Sequence, residues 1–444
     1  MNLNTLNEFR HGIYGCFGNA KDALFNTIDA LSSEAAARSF PELSFSPFFE
    51  RTWASLYEAL EDGKIDAQRL RQVFVQCAPL PAAGQYVFLG VDTSNLYRPE
   101  AETAQDRTLV PMANLPKDAH AACPGWVVSH VVLLPSQAGQ GTFVLDTARV
   151  TSTELATVVA ARQLQAVVAL LVARGLRPII IGDRWYACAP FLARLSEVSA
   201  HCLLRVKSHR VFYRPAPVRR PGQLGASRKD GDRFQCSDER THGEPDEVWE
   251  GSDAKGARVQ VRCWKHLHLR TARWVEVSVI QIIRHGANGS ARDPRVSWFV
   301  WKGDDPAPLA EISPTSRLRY SQEHGYRFDK QVLLWDVPRL STPARTERWT
   351  QVVACAHNQL LLARPLLDGS YRPWETRRLI LTLGQVRRAM PTLLRQLGTP
   401  ARPPQPRGKA PGRAKGFHPK PRERHPVIRK TSKKQKKGKK STSA

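Results

Sequence analysis

The hydrophobic period of the chain changes at Tyr86, and no other feature constrains its fold as much. Before that point apolar residues recur at spacings of three and four over 23–37, 47–60 and 65–77, which predicts a small all-helical unit over 1–84. After it come short apolar runs bounded by turn residues, at 86–92, 125–134 and 142–150, which predict three neighbouring strands. A helical pattern then fills 152–174, opened by Ser152 and Thr153 as candidate caps and closed by Gly175. A buried strand ending at Asp183, a short helix near 190–198 and a strand over 201–207 complete the run. Strands and helices mixed in this order predict an α/β unit over 85–210. From 211 to 304 the chain turns polar and Gly-rich and then supplies strand patterns at 257–264, 274–283 and 296–301, a β-rich insertion. A helix is expected from Ser316 to Trp335 within 305–345, and two more, at 348–367 and 374–397, within 346–400.

Charge narrows the class of partner. The chain carries 66 Lys and Arg against 40 Asp and Glu, a net +26. Residues 401–444 hold 16 of those cations and one acid, Glu423, among many Pro and Gly, the composition of a disordered basic tail. The first 400 residues keep 50 basic and 39 acidic residues, so the folded part is also basic and both parts attract phosphate. There is no apolar run long enough to cross a bilayer and no basic segment leading into an apolar one, so neither a membrane span nor a signal peptide is expected. A soluble cytoplasmic protein associated with chromosomal DNA, and no membrane partner, is the expectation. The eight cysteines include no CxxC pair, which suits reduced thiols. Cys236, His242, Cys263 and His266 are the one group with zinc-like composition, but the odd offset between Cys263 and His266 in a strand puts them on opposite faces.

Candidate chemistry sits at strand ends. Asp92 and Asp183 each close an apolar strand, where open α/β sheets place their ligands. An Asp there also serves as an Asx turn or a helix cap. On the expected helix after 316, at 100° per residue, Arg319 and Arg327 lie about 40° either side of Glu323 and Lys330 about 20° from it. One acid and three cations thus share a face, opposite Leu318, Phe328 and Val332. Such a stripe alone is also an ordinary solvated face with i,i+4 pairs. Two strand-end aspartates and a glutamate in a basic protein offer three hard oxygen donors, enough for a pair of Mg2+ ions about 3.5 to 4 Å apart at a phosphodiester. The sequence has no GxxxxGK[ST], HExxH or GxSxG motif, which removes the common nucleotide, zinc-hydrolase and serine-hydrolase readings.

Three stretches carry a resemblance: GVDTSN around Asp92, IIIGDRWYA followed by LLRVK around Asp183, and RYSQEHGYRFDKQ around Glu323. Over about 86–335 the chain resembles insertion-sequence transposases with an Asp-Asp-Glu triad. In one large branch the last signature runs Tyr, two residues, Arg, three residues, Glu, six residues, Lys. Arg319, Glu323 and Lys330 fit it, while Ser316 stands at the Tyr position with Tyr320 and Tyr326 close by. The resemblance implies a ribonuclease-H-like mixed sheet with flanking helices, the β-rich insertion before the last catalytic helix, and an N-terminal helical domain able to bind DNA. It implies that Asp92, Asp183 and Glu323 are catalytic and bind Mg2+, with Mn2+ as a substitute, and that Arg319 and Lys330 hold transposon-end DNA. Arg327 joins them by sharing the face. Trp185, two residues past Asp183, either stacks on an unpaired base or packs beneath the site. The implied activity is metal-dependent cleavage and strand transfer of an insertion sequence. Its partners are double-stranded DNA, the terminal inverted repeats, target DNA and a second copy of the chain. The rival expectations are a catalytically inactive DNA-binding protein derived from a transposase, and a tyrosine or serine recombinase, for which no nucleophile is as well placed as the three acids.

Overall fold

The computed structural model describes residues 3–112, 121–136, 140–219, 225–254, 256–290, 295–303, 308–368, 371–377, 379–405, 412–418 and 420–430. Five helices come first: α1 (Leu3–Gly15), α2 (Lys21–Ser33), α3 (Phe40–Leu43), α4 (Trp53–Asp62) and α5 (Ala67–Cys77). They do not stand apart. Their apolar faces join one buried cluster with the sheet and with two late helices, α10 (Pro343–Ala363) and α11 (Leu383–Leu397). The buried Arg10 guanidinium locks this junction, donating to Asp29 on α2, to Gln359 on α10 and to Gly398 O beyond α11.

From Tyr86 the chain builds β1 (Tyr86–Tyr97), β2 (Thr108–Pro111), β3 (Ala122–Leu133), β4 (Phe143–Val150), α6 (Ala156–Val172), β5 (Arg177–Gly182), α7 (Ala189–Arg194) and β6 (His201–Val206). β1 runs antiparallel to β3 and parallel to β5, and β5 runs parallel to β6. Strand β4 lies beside β3, and α6 packs on β3 and β4. The result is a large mixed sheet flanked by helices, consistent with the ribonuclease-H-like arrangement. Helix α6 begins four residues later than Ser152: Leu155 is its N-cap and makes no side-chain cap.

The inserted strands are β7 (Val211–Tyr213), β8 (Arg233–Gln235), β9 (Glu247–Ser252), β10 (Arg258–Leu269), β11 (Ala272–Arg284) and β12 (Val296–Lys302). They extend the same sheet. β12 pairs antiparallel with β6, from Trp298 opposite Val206 to Lys302 opposite Cys202, and the order runs on through β11, β10, β7 and β8.

Two helices, α8 (Leu309–Arg317) and α9 (Tyr320–Gln331), replace the single one expected from Ser316 to Trp335. Three-residue backbone bonds tighten the junction, Leu318 N to Thr315 O and Gln322 N to Arg319 O. The later helices also start elsewhere than expected. α10 opens at Thr342, whose hydroxyl accepts from Arg345 N, and α11 opens on a reciprocal Thr382–Gln385 capping box.

Composition makes all of 401–444 a disordered tail, yet part of it is seated on the sheet. Ile428 N donates to Arg107 O, His425 N to Glu102 O, and the buried Arg107 guanidinium returns a bond to His425 O. The seat is the edge strand β2, whose open backbone groups take another segment readily. The lysine-rich end, 431–444, lies outside the described residues.

Candidate active site

Helix α9 reaches the sheet because β1 has a glycine beneath it. A Cβ on Gly90 would come within 2.6 Å of Gln322 Oε1, so any larger residue there would push the helix away. Three side chains then fasten α9 to β1. Tyr326 OH donates to Asp92 O at 3.0 Å, Lys330 Nζ donates to Asn95 O at 2.8 Å, and Arg319 reaches the Asp92 carboxylate at 3.3 Å. On its far side α9 is tied to α10 by Asp329, 2.6 Å from His357 Nδ1, while His357 Nε2 donates to Thr142 O.

The strand register brings the two aspartates together. Val91 lies opposite Gly182 in the parallel β1–β5 pair, so Asp92 and Asp183 are the next residues on adjacent strands. Asp183 begins a turn, with Trp185 N donating to its Oδ1, but Asp92 does not close its strand: β1 runs on to Tyr97 beside β3, and Thr93 N donates to Asp92 Oδ1, both bonds at 2.8 Å. Glu323 arrives from α9, and the Arg319 guanidinium spans Asp92 and Glu323, 2.9 Å from the latter. The three acids lie 91 and 140 residues apart in sequence and meet at one guanidinium and one strand pair.

The electrostatics are those of like charges held close together, with Asp92 and Asp183 half-buried and Glu323 exposed. Burial, then the neighbouring Asp183 charge, pushes Asp92 up to about 7 despite Arg319. Burial raises Asp183 as well. Tyr186, three residues past Asp183, is 3 % exposed, its phenol raised first by burial and then by both aspartates. Among the described residues its hydroxyl has no hydrogen-bond partner. A buried hydroxyl left without a partner costs about 1–3 kcal/mol. Carboxylate oxygens gathered against mutual repulsion are hard donors of the kind a divalent cation takes. Among the described residues no three His, Cys, Asp or Glu side chains stand at metal-ligand spacing, and Arg319 supplies the positive charge between Asp92 and Glu323.

The other residues singled out in the sequence divide between inside and outside. Lys330 is turned inward, onto Asn95 O and over the Trp335 ring, and burial lowers its pKa. Arg327 is exposed, and Trp185 is 66 % exposed with the Lys207 ammonium 5.2 Å from its ring centre. So Trp185 does not pack beneath the site. Of the zinc-like group, His266 pairs with Glu276 at the surface while Cys263 is buried in β10. Sequence reasoning missed Tyr186, Tyr326 and Gln322. A Tyr three residues after an active-site acid was the available signal for the first two, since a turn or a helix brings that position back beside the acid.

A family model described as DDE superfamily endonuclease matches residues 13–269, more than half of the chain. The match takes in Asp92 and Asp183, stops short of Glu323, and begins far earlier than Tyr86, within α1. No curated protein matches the chain. No helix among the described residues is long and apolar enough to cross a membrane.

Proposed function

The chain belongs to the DDE superfamily endonucleases, and from that premise we propose that it is an insertion-sequence transposase that cuts and rejoins DNA. In this reading Asp92, Asp183 and Glu323 hold Mg2+, or Mn2+ in its place. The observation that carries it is the juxtaposition of Asp92 and Asp183, each one residue past the Val91–Gly182 pair of β1 and β5, in a half-buried pocket that opposes their charge. When bound, the metal ions would supply Lewis-acid activation of the attacking oxygen and stabilise the leaving one. The protein's part is positioning. Tyr326 and Lys330 fix α9, and so Glu323, against β1. Arg319 exchanges its carboxylates for a phosphate oxygen when metal and DNA arrive, and exposed Arg327 meets the backbone beside it. Lys330 reaches phosphate only by giving up Asn95 O. Terminal inverted repeats, target DNA and a second copy of the chain complete the proposed assembly, at the chromosome in the cytoplasm.

The test is strand cleavage of labelled DNA carrying the element's ends. Asp92→Asn, Asp183→Asn and Glu323→Gln should each lower Mg2+-dependent cutting by at least about a hundredfold, on the scale of losing one preorganised charge-stabilising group, and leave DNA binding largely intact. A catalytically inactive DNA-binding relative would bind the same DNA and never cut it. An Asn variant that cuts at the wild-type rate overturns the assignment.

A further inference from the structure

Helix α9 covers only part of the strand it packs on. Tyr86, Phe88, Gly90 and Asp92 share one face of β1, since side chains alternate along a strand. The helix lies over this face from Gly90 onward, with Gln322 above Gly90, Tyr326 at Asp92 and Lys330 at Asn95. Over the earlier part of the strand lies a groove of about 740 Å3, between the end of β3, the start of β4, the end of α10 and the segment that leads into α11. Phe88 is only half-buried there, although β1 is a central strand, and Leu379 stands in water at the mouth.

The wall is mostly apolar, with Leu134, Phe143, Leu361 and Leu381 in it, and its polar side chains are Gln85, Ser136, Gln140 and Arg364. Gln85 and Ser136 are exposed, and Ser136 bonds to Gln140. Arg364 alone brings a charge. Half-buried at the end of α10, its guanidinium donates to Gln140 O, and burial lowers its pKa. Among the described residues no carboxylate pairs with it: Asp368, four residues on, is exposed, and Glu375 is taken by Arg388. No segment outside the described residues is suited to close the groove, because the large apolar side chains there are Met1, Leu115 and Leu224, far apart in sequence.

We propose that this groove binds a small amphiphilic acid, its apolar body over Phe88 and Leu361 and its carboxylate on the Arg364 guanidinium. The volume is that of a small-molecule site, and such sites are apolar with a few placed polar groups. A guanidinium holds a carboxylate through two parallel N–H donors. An apolar wall that ends in one cation without an acid selects a molecule with one anionic end. Asp92, Asp183 and Glu323 take no part, so the proposal stands apart from the nuclease reading.

The experiment is calorimetric titration of the full-length protein with straight-chain carboxylates from hexanoate to dodecanoate, each beside the alcohol of the same length, below the concentrations at which they aggregate. Affinity should rise about fourfold with each added methylene, the scale of burying one CH2, until the chain outgrows the groove. Each carboxylate should bind about tenfold tighter than its alcohol, the scale of a hydrogen bond to a charged group. Arg364→Gln should bring acid and alcohol within about twofold of each other and leave the alcohol's affinity unchanged, and Arg364→Lys, which keeps the charge and loses the fork, should fall between. Leu367→Trp, a larger side chain on a half-buried part of the wall, should weaken acid and alcohol alike. Melting unchanged from wild type shows each variant folded, and the wild-type comparison of acid with alcohol needs no variant. Equal binding of the two, affinity independent of chain length, or a preference that survives Arg364→Gln overturns the proposal. An acidic apolar peptide that binds where no small acid does would make the groove a docking surface for a protein and overturn it as well.

Discussion

Helix α9 lies between two charged groups that the fold treats in opposite ways. On one side Asp329 and His357 are both buried, and both ring nitrogens of His357 are engaged, by Asp329 and by Thr142 O. Burial opposes the charge on His357, but the Asp329 carboxylate and these hydrogen bonds raise its pKa above the usual value. On the other side Asp92 and Asp183 are two acids of the same sign when ionised, Arg319 answers them at 3.3 Å from only one, and among the described residues the Tyr186 hydroxyl has no partner. The first group is buried, and the two aspartates of the second are half-buried. The first is closed and needs no further partner, whereas the second is held together by the fold against its own electrostatics. A charge whose partners are complete belongs to the structure; a charge whose partners are missing points to a ligand.

Breaking the closed group should have the largest effect. His357→Ala leaves Asp329 buried without its cation, and such a change costs about 3–5 kcal/mol, read as a fall in the urea midpoint at constant m. The sign with pH follows from the raised pKa. The pair's contribution is complete below the unfolded value of 6.5 and is lost as pH rises through the folded value. A loss under about 1 kcal/mol, the range of exposed pairs, would mean that Asp329 does not depend on His357.

The open group should respond with the opposite sign. Asp92 ionises near 3.8 when unfolded and near 7 when folded, so the native state holds a proton that the unfolded chain has released, and stability falls as pH rises from about 4 to 7. Asp92→Asn removes this penalty. The variant should be more stable than wild type by about 1–3 kcal/mol at neutral pH and show no such gain near pH 4, measured by melting across that range. A variant less stable than wild type at both pH values would mean that Asp92 is a satisfied structural group. Tyr186→Phe is a milder version of the same test. It deletes a buried donor without a partner, so metal-free stability should hold or rise by up to about 1 kcal/mol, and a clear loss would show a partner that the structure does not contain. The smallest effect belongs to an exposed pair, Arg339 with Glu100. Arg339→Ala should stay within about 0.5 kcal/mol of wild type.

Much of the fold was legible because it is written in local period. Apart from β2 and the continuation of β1 past Asp92, the run of strands and helices from Tyr86 to Val206 follows from apolar spacing, and Asp92 and Asp183 stand out because each ends an apolar run. What was not legible depends on contacts made across the chain. The stripe of Arg319, Glu323, Arg327 and Lys330 is visible as a pattern, but nothing local says that Arg319 and Lys330 turn back onto β1 while Arg327 stays in water. The break between α8 and α9 has the same origin, since it frees Arg319 to reach Asp92. That the inserted strands would continue the central sheet, through β12 on β6, depends on pairing over about a hundred residues. The seating of 425–428 on β2 is also set by a distant partner, the guanidinium of Arg107, which composition cannot show.

We propose that the pocket between β1 and β5 takes a divalent cation, and soaking a crystal of the protein in Mn2+ would show it there. An anomalous difference map should show a peak within bonding distance of the Asp92 and Asp183 carboxylates, with the Arg319 guanidinium turned away from Asp92. No peak there, with Arg319 still bridging Asp92 and Glu323 under saturating Mn2+, would contradict the account.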